Sequence, residues 1–595
     1  MYLSTRLLVT YALLQTAAAF QLPFYIPWVS ARLDSNDGQI PLALPQETPL
    51  NRIAIVGAGA GGSSAAFWIS KAKKRYGLDV EVDVFESSSY VGGRSTTVYP
   101  YDDPSLEPIE LGASIFVKAN KNLWRASEEF GFDRKDFDED DSMGIWDGEQ
   151  FLLTTSGGGR IGGWWDTLKV LWRYGYKAPT RTKAIVDGMI QKFLTLYGPC
   201  FGSRSFTNLT TLAEELGWTE MIGQTTADYF DEQGIDPRWT REMIESATRV
   251  NYGQNADEIH ALEGMCSIAA TGASQIKGGN WLIFDQFLKR SNATVFLNTT
   301  VTSVTQVHEN KFTLRTRPAG SSSVGPQSES ERHYRAVILA APFHGASIDL
   351  SLLPSANASE PQPTIPPQPY VHLHVTLLAT TSPHARSRYF NLGEKDTVPG
   401  MVLTTWEGVR GRGGGSASAS AVSGEGETAN AREDGVPEFN SVSYHGKVRT
   451  LDGEPVKRVV GDKEEEVWSV KIFSKKRVED RWLKRMFGNV GWVYRKEWDA
   501  YPVLPPTKEF PPVKLGKGFY YVNAFEPFIS TMETETIAAR NVVELLMQEE
   551  FDASICKSDE EAILLTDDVD SLKDFVYGWD CRAKELSYEN LELPL

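Results

Sequence analysis

Gly57, Gly59 and Gly62 fall in the run Gly57-Ala58-Gly59-Ala60-Gly61-Gly62, directly after the apolar stretch Arg52-Ile53-Ala54-Ile55-Val56. This spacing suits a pyrophosphate. The first glycine permits a tight turn, the second lets backbone approach phosphate oxygens, and the third allows a helix to sit close against a strand. The residues that follow, Ser63-Ser64-Ala65-Ala66-Phe67-Trp68-Ile69, read as that helix. Its free N–H groups and positive dipole end favour an anion. A second strand, Val80-Glu81-Val82-Asp83-Val84-Phe85, ends in Glu86, where a carboxylate can accept hydrogen bonds from ribose hydroxyls. Three glycines alone are a weak signal, but strand, glycine turn, helix, strand and acid together describe a dinucleotide site.

Gly92-Gly93-Arg94 lies just beyond. This trio after an acidic strand end resembles the flavin-containing amine oxidase superfamily, which implies FAD rather than NAD, with Gly93 bringing backbone to the flavin side and Arg94 meeting the cofactor. Glu110-Leu111-Gly112-Ala113-Ser114 is similar to the segment that returns to the flavin in that superfamily, so Gly112 and Ser114 join the implied contacts, as does Val301 near the adenine. The stretch Gly518 to Glu526, followed by Ser530 to Arg540, reads as a buried strand leading to a second helix N-terminus, with Glu526, Thr531 and Met532 placed to meet the cofactor. Cys200, Cys266, Cys556 and Cys581 all lie outside these motifs, so the FAD is expected to be held without a covalent bond.

The elements that must position these residues are spread along the chain. Its 595 residues are enough for two or more cores. The expected fold class is α/β, a Rossmann-like FAD-binding domain of the amine oxidase type with an inserted α+β substrate domain. The FAD domain occupies 52–117, 256–350 and 511–548, and the insertion 118–255 and 351–510. A leader of 20–51 precedes them and a tail of 549–595 follows. Helix dominates from about Asn120 to Asn255, where Val186, Ile190, Phe193, Leu194 and Tyr197 share one helical face that reads as core. Thr294 to Leu297 and Val301 to Val304 read as paired strands, and Ala336 to Ala341 as a buried strand stopped by Pro342. In the second excursion Val371 to Leu377 alternates as a half-buried strand, with further strands at Met401–Trp406, Ser441–Val448 and Val467–Phe473. Residues 410–435 are rich in Gly, Ser and Ala and read as a disordered surface insertion. His372 and His374 point to one face, but no third ligand stands at a recognisable spacing, so no metal site is expected.

A net charge of -18 argues against nucleic acid or anionic membrane as the main partner. Residues 1–19 carry Arg6, an apolar core and Ala17-Ala18-Ala19, the order of a secretory signal peptide. No later stretch is apolar enough to span a bilayer. Sequons at Asn208, Asn292, Asn298 and Asn357 fit a glycosylated lumenal protein. The even number of cysteines suits an oxidising compartment; three pairings are open, and Cys556 and Cys581 share the tail.

A narrower resemblance rests on Arg249-Val250-Asn251-Tyr252-Gly253-Gln254, on Gly278-Gly279-Asn280 and on Tyr521 to Glu526 through Met532-Glu533 and Ile537-Ala538-Ala539. These look like prenylcysteine oxidases, with Ala113 and Ala524 standing where that family is expected to carry glycine. The resemblance implies a secreted or lysosomal (vacuolar) flavoenzyme acting on a small prenyl thioether and oxygen. Hydride leaves the carbon between sulfur and alkene for the flavin. Water then adds to the resulting cation, the adduct collapses to a prenyl aldehyde and cysteine, and oxygen takes the electrons as peroxide. That chemistry needs orientation and an apolar pocket more than an acid-base pair, and the sequence names no catalytic base. Tyr252 and Gln254 are the candidates for lining the substrate site. A flavin amine or polyamine oxidase would share the cofactor motifs and differ in the pocket, and a secreted non-catalytic flavoprotein binding a lipid or protein partner is the other alternative.

Overall fold

The computed structural model describes residues 51–136, 142–156, 159–270, 272–320, 329–353, 363–407, 436–557 and 574–581. The signal-like leader, the insertion at 410–435 and Asn357 lie outside them. At the centre of the first sheet is β1 (Arg52–Val56), which gives way at Gly57 to α1 (Ala60–Tyr76) and returns as β2 (Glu81–Phe85). The sheet order is Lys514–Gly516, Phe519–Tyr521, Ala336–Leu339, β1, β2 and Thr294–Phe296. β1 pairs in parallel with β2 on one side and with Ala336–Leu339 on the other. Ile53, Ala54, Ile55, Val337, Ile338 and Leu339 are all fully buried, as apolar strands covered on both faces must be.

Thr294–Phe296 pairs with β2 and not with the run from Val301, contrary to the sequence reading. Asn298 between them takes a left-handed backbone (φ 52°), which turns the chain out of the first sheet. The strand Thr299–His308 then builds a separate sheet with Lys311–Pro318, Ser330–Tyr334 and Asp349–Ser351.

The insertion is helical through α2 (Gly159–Tyr174) and α3 (Lys177–Leu194), with further short helices to Ile268. Between the helix Lys121–Glu129 and α2 the described chain is not helical: Met143–Trp146 and Phe151–Thr154 form a hairpin, because Asp147 Oδ1 accepts from the N–H groups of Glu149 and Gln150 (both 2.8 Å) and closes a turn. That hairpin is one edge of a seven-stranded sheet. The remaining strands are Met401–Thr404, Ser441–Lys447, β3 (Tyr370–Thr380), β4 (Trp468–Ser474) and β5 (Val490–Pro502), with β3 between β4 and β5. Period-two alternation gives this sheet two apolar faces. Leu373, Val375 and Ala500 turn one way, and Leu378, Val470 and Ile472 turn the other way into a core with Trp482 and Phe487.

The last long helix, α4 (Met532–Phe551), packs against α1 and starts at Thr531, whose side chain accepts from Thr534 N–H in a capping box. A disulfide joins Cys556 to Cys581, and Cys266 is a free, partly buried thiol. The residues before Cys581 fold back over α1: the Trp579 ring lies 5.0 Å from Phe67 and 5.6 Å from Trp68, and its Nε1 donates to Asn122 Oδ1 at 3.2 Å.

Candidate functional site

A cavity of about 650 Å³ runs along the C-terminal ends of β1 and β2 and on to the seven-stranded sheet. Of the residues singled out by sequence, Gly57, Gly59, Glu86, Gly93, Arg94, Gly112, Val301, Glu526, Thr531 and Met532 line it. Gly62 and Ser114 stand just behind the wall. A Cβ on Gly62 would lie 1.9 Å from the Gly57 carbonyl oxygen, so its task is helix packing. Gly57 has φ 106°, and a Cβ there would meet the Ala340 carbonyl oxygen at 2.4 Å. Gly59 differs: the nearest atom to a Cβ would be Gly93 Cα at 3.8 Å, so the side chain it lacks would occupy the cavity.

The residues fit a dinucleotide from end to end. Glu86 is buried at one end, with Oε2 accepting from Ala58 N–H and Oε1 from Ser88 N–H (both 2.8 Å), and its remaining lone pairs are available to hydroxyls. In the middle, Gly59 to Gly61 of α1 and Thr531 and Met532 of α4 bring two helix N-termini to the same wall, where an anion is favoured. Several buried polar atoms of the lining, Ser95 Oγ, Trp498 Nε1, Asn523 Oδ1 and Glu535 Oε1, have no hydrogen-bond partner among the described residues, as expected of groups that meet a bound molecule. Burial and the nearby Glu526 push the Glu535 carboxyl up, against the pull of Arg94.

At the far end the cavity changes character. Arg94 and Glu526 form an ion pair of 2.5 Å; Arg94 also donates to the Ala500 carbonyl (3.1 Å), and the Tyr370 hydroxyl donates to Glu526 Oε2 (2.6 Å). Opposite stands an apolar wall of Leu373 and Val375 from β3, Phe473 from β4 and Trp498 from β5. Gly112 holds the wall close, since a Cβ on it would lie 1.9 Å from the Arg94 carbonyl oxygen and 2.8 Å from the Trp498 ring. Behind Gly112, Lys471 donates to its carbonyl (3.3 Å) and to Ser114 Oγ (2.8 Å). Burial lowers the Lys471 pKa and raises that of Glu110, each partly offset by the other's charge.

Tyr252 and Gln254 do not line this cavity, and the sequence assignment of both is corrected. Gln254 is buried as a chain fastener: its amide donates to the Pro502 carbonyl (3.1 Å), and its Oε1 accepts from Leu504 N–H (2.8 Å). Tyr252 lies one layer back, edge-on to Tyr501 with ring centroids 5.8 Å apart, and Tyr501 faces the cavity. Behind it Glu263, whose two oxygens accept from Ser530 N–H (3.2 Å each), is pushed by burial up to about 8. The residues missed by sequence are Tyr370, Trp498, Tyr501 and Lys471. Only Lys471 left a signal, a lone cation inside the buried strand Trp468-Ser469-Val470-Lys471-Ile472-Phe473.

A third group does stand beside the two strand histidines. Glu497 of β5 lies opposite His374, and the ligand atoms of His372, His374 and Glu497 fall within 4.8 Å of one another. His372 is hydrogen-bonded on both ring nitrogens, to Asp499 (3.1 Å) and Glu497 (2.9 Å), and these bonds raise its pKa. The two carboxylates therefore stabilise an imidazolium, which makes an exposed ion-pair cluster of this face of the sheet.

Comparison with known proteins returns one family over most of the chain. Residues 161–560 match the family described as prenylcysteine lyase, and residues 55–130 match the NAD(P)-binding Rossmann-like domain. The chain is 26% identical to farnesylcysteine lyase of Arabidopsis thaliana over 83% of its length and 88% of that protein's. It is 27% identical to prenylcysteine oxidase 1 of Mus musculus, over 85% and 90% respectively. A solved cyclohexylamine oxidase from Brevibacterium oxydans IH-35A superposes with a TM-score of 0.47 at 13% identity, covering 84% of this chain and 99% of that one.

Proposed function

The chain belongs to the prenylcysteine lyase family, and from that premise we propose that it is an FAD-dependent oxidase cleaving the thioether of farnesyl- or geranylgeranylcysteine to prenyl aldehyde, cysteine and hydrogen peroxide. The observation that carries this reading is the continuity of the cavity from the dinucleotide-binding glycines to the wall of Leu373, Val375, Phe473 and Trp498. FAD bound there supplies a hydride acceptor and passes the electrons on to oxygen. The chain's own residues do the rest. Gly57 to Gly61, Glu86, Thr531 and Met532 hold the nucleotide, and Arg94, paired to Glu526, fixes the loop beside the apolar end. The wall receives a prenyl chain and keeps water away from its alkene, and Arg94, Tyr370 and Tyr501 offer polar groups to the amino-acid end. Such a site raises the rate by orientation, since the allylic thioether itself stabilises the developing cation.

The decisive experiment is peroxide release by the purified flavoprotein given farnesylcysteine, an S-alkyl cysteine of equal length, and a set of amines. Farnesylcysteine should turn over, and the saturated thioether should bind but react far more slowly, because only interactions that strengthen in the transition state raise the chemical rate. Equal turnover of the two thioethers, or flavin reduction by amines alone, would move the assignment to amine oxidation.

The same reading places the protein in the secretory pathway, in a lysosome or vacuole or outside the cell, where prenylated proteins are broken down. The signal-like leader supports this, as do the exposed side chains of Asn208, Asn292 and Asn298 and the Cys556–Cys581 disulfide. Mobility after glycosidase treatment, and an N-terminus near Phe20 in the native host, are the corresponding tests.

A further inference from the structure

Far from the cavity residues in sequence, α2 carries a dense group of exposed apolar side chains. Trp165, Leu168, Leu171 and Trp172, with Tyr176 just past the helix end, are 57, 38, 36, 88 and 71% exposed. Trp165, Leu168 and Trp172 recur at helical spacing and so share the outward face, while Tyr176 follows Gly175, whose left-handed backbone (φ 71°) ends the helix. The inward face is anchored. Asp166 accepts from Ser156 N–H at 2.8 Å, Arg173 reaches Glu242 through two nitrogens at 2.6 and 2.8 Å, and Tyr174 is buried with its ring 5.1 Å from Trp239. The apolar side is therefore presented on a fixed helix.

Charge identifies what this face meets. Residues 160–192 contain seven Lys or Arg and two Asp, a local excess of +5 in a chain whose net charge is -18. Lys169 on α2 and Lys177, Arg181 and Lys183 on α3 are exposed, with Lys169 paired to Asp166 (3.3 Å) and Lys183 to Asp187 (2.6 Å). Two copies of this chain meeting through the face would oppose like charges, which disfavours self-association. An anionic lipid surface answers both features: Trp and Tyr settle at the headgroup level, and the long Lys and Arg stems lie along apolar surface with their charges outward. Among the described residues no helix is long and apolar enough to cross a membrane, so α2 would lie in the plane of the interface.

We propose that the Trp165–Trp172 face of α2, with its surrounding basic side chains, docks the protein onto anionic bilayer surfaces. The inference goes beyond the catalytic reading and stands independently of the substrate. It also revises the expectation from net charge, because the field at one face can be opposite in sign to that of the whole chain.

The test is sedimentation of the holoprotein with phosphatidylcholine vesicles, with and without phosphatidylserine. Wild type should bind the phosphatidylserine vesicles, and less so as salt is raised. The double variant W165S/W172S should bind them at least about tenfold more weakly. The charge reversal K169E/K177E should lose the preference for phosphatidylserine. Both variants should keep their flavin and their turnover of soluble substrate, whichever substrate that proves to be. Absence of wild-type binding to either vesicle, or equal binding by W165S/W172S, would overturn the proposal. So would a dimer in light scattering that W165S/W172S abolishes, which would give the face to a second copy.

Discussion

Arg94 and Glu526 meet in a 2.5 Å ion pair although one lies in the first nucleotide-binding segment and the other in the last. Glu526 is buried, and it also accepts from the Tyr370 hydroxyl at 2.6 Å and the Asn523 amide at 3.3 Å. The pair therefore fastens three separate stretches of chain around the apolar end of the cavity. Arg94→Ala removes the cation and leaves a buried carboxylate with neutral donors only, at a cost of about 1.5 to 3 kcal/mol. Flavin content on purification and the melting temperature should both fall, while Arg94→Lys should recover part of the stability. Unchanged flavin content in Arg94→Ala would contradict this role.

Glu86 has a double task that sequence alone did not reveal. Its carboxylate accepts backbone N–H groups from Ala58 and Ser88, so it braces the glycine turn as well as facing the cavity. Glu86→Gln puts an amide NH₂ where donors already converge and should weaken FAD binding roughly tenfold to a hundredfold, equivalent to about 1.4 to 2.8 kcal/mol. Fluorescence titration of apoprotein with FAD measures it. Substrate preference of the flavin-loaded fraction should not change.

These two positions also mark where sequence was informative. Gly57, Gly59 and Glu86 fall within a single strand-helix-strand unit, so local spacing was enough to place them together. The wall of Leu373, Phe473 and Trp498 comes from three strands of another sheet. Alternation tells which residues share a face but not which face meets the cavity. Tyr252 and Gln254 were misplaced for a related reason: position along the chain stood in for position in space, and Gln254 in fact serves the backbone of Pro502 and Leu504. Glu497 was invisible as a neighbour of His374 because only the β3–β5 register brings them opposite.

Glu263, like the buried Glu110, Glu533 and Glu535, should make stability depend on pH. Burial raises its pKa from 4.5 to about 8 in the folded protein, with Tyr252 and Ser530 N–H opposing the shift. The folded state then binds more protons than the unfolded state between those two values. The contribution is fully present below pH 4.5 and is lost as pH rises through about 8, at no more than about 1.4 kcal/mol per pH unit. The melting temperature should be higher at mildly acidic pH than in mild base. Glu263→Gln should make that profile shallower, and an unchanged profile in the variant would assign the dependence to the other buried carboxyls.

The Cys556–Cys581 bridge holds Trp579 against Phe67 and Trp68 on the helix that follows the glycine turn. It closes a loop with a sequence separation of 25 residues, for which loop closure contributes about 3 kcal/mol. Cys556→Ala/Cys581→Ala should lower the melting temperature to near that of the reduced wild type, and reductant should then have no further effect. Because α1 bears the nucleotide turn, FAD should also be released at lower denaturant. A reductant response that persists in the double variant would point to a different bridge.

Lys471 and Glu110 offer the sharpest test of the site's electrostatics. Each is buried, each is shifted toward its neutral form by burial, and each is supported by the other's charge. Lys471 is further tied to the Gly112 carbonyl and Ser114 Oγ, and Glu110 Oε1 accepts from Asn280 N–H at 2.6 Å. Lys471→Met alone should be strongly destabilising, by about 3 to 5 kcal/mol, since it leaves an uncompensated buried carboxyl, and Glu110→Gln alone should also destabilise. The double variant Lys471→Met/Glu110→Gln should be more stable than Lys471→Met, because neither charge is then left buried without its partner. Denaturation of the two single variants and the double variant gives the coupling energy directly. Additive losses would mean that the two groups do not act as a pair, and that Lys471 is retained for its bonds beside the cavity alone.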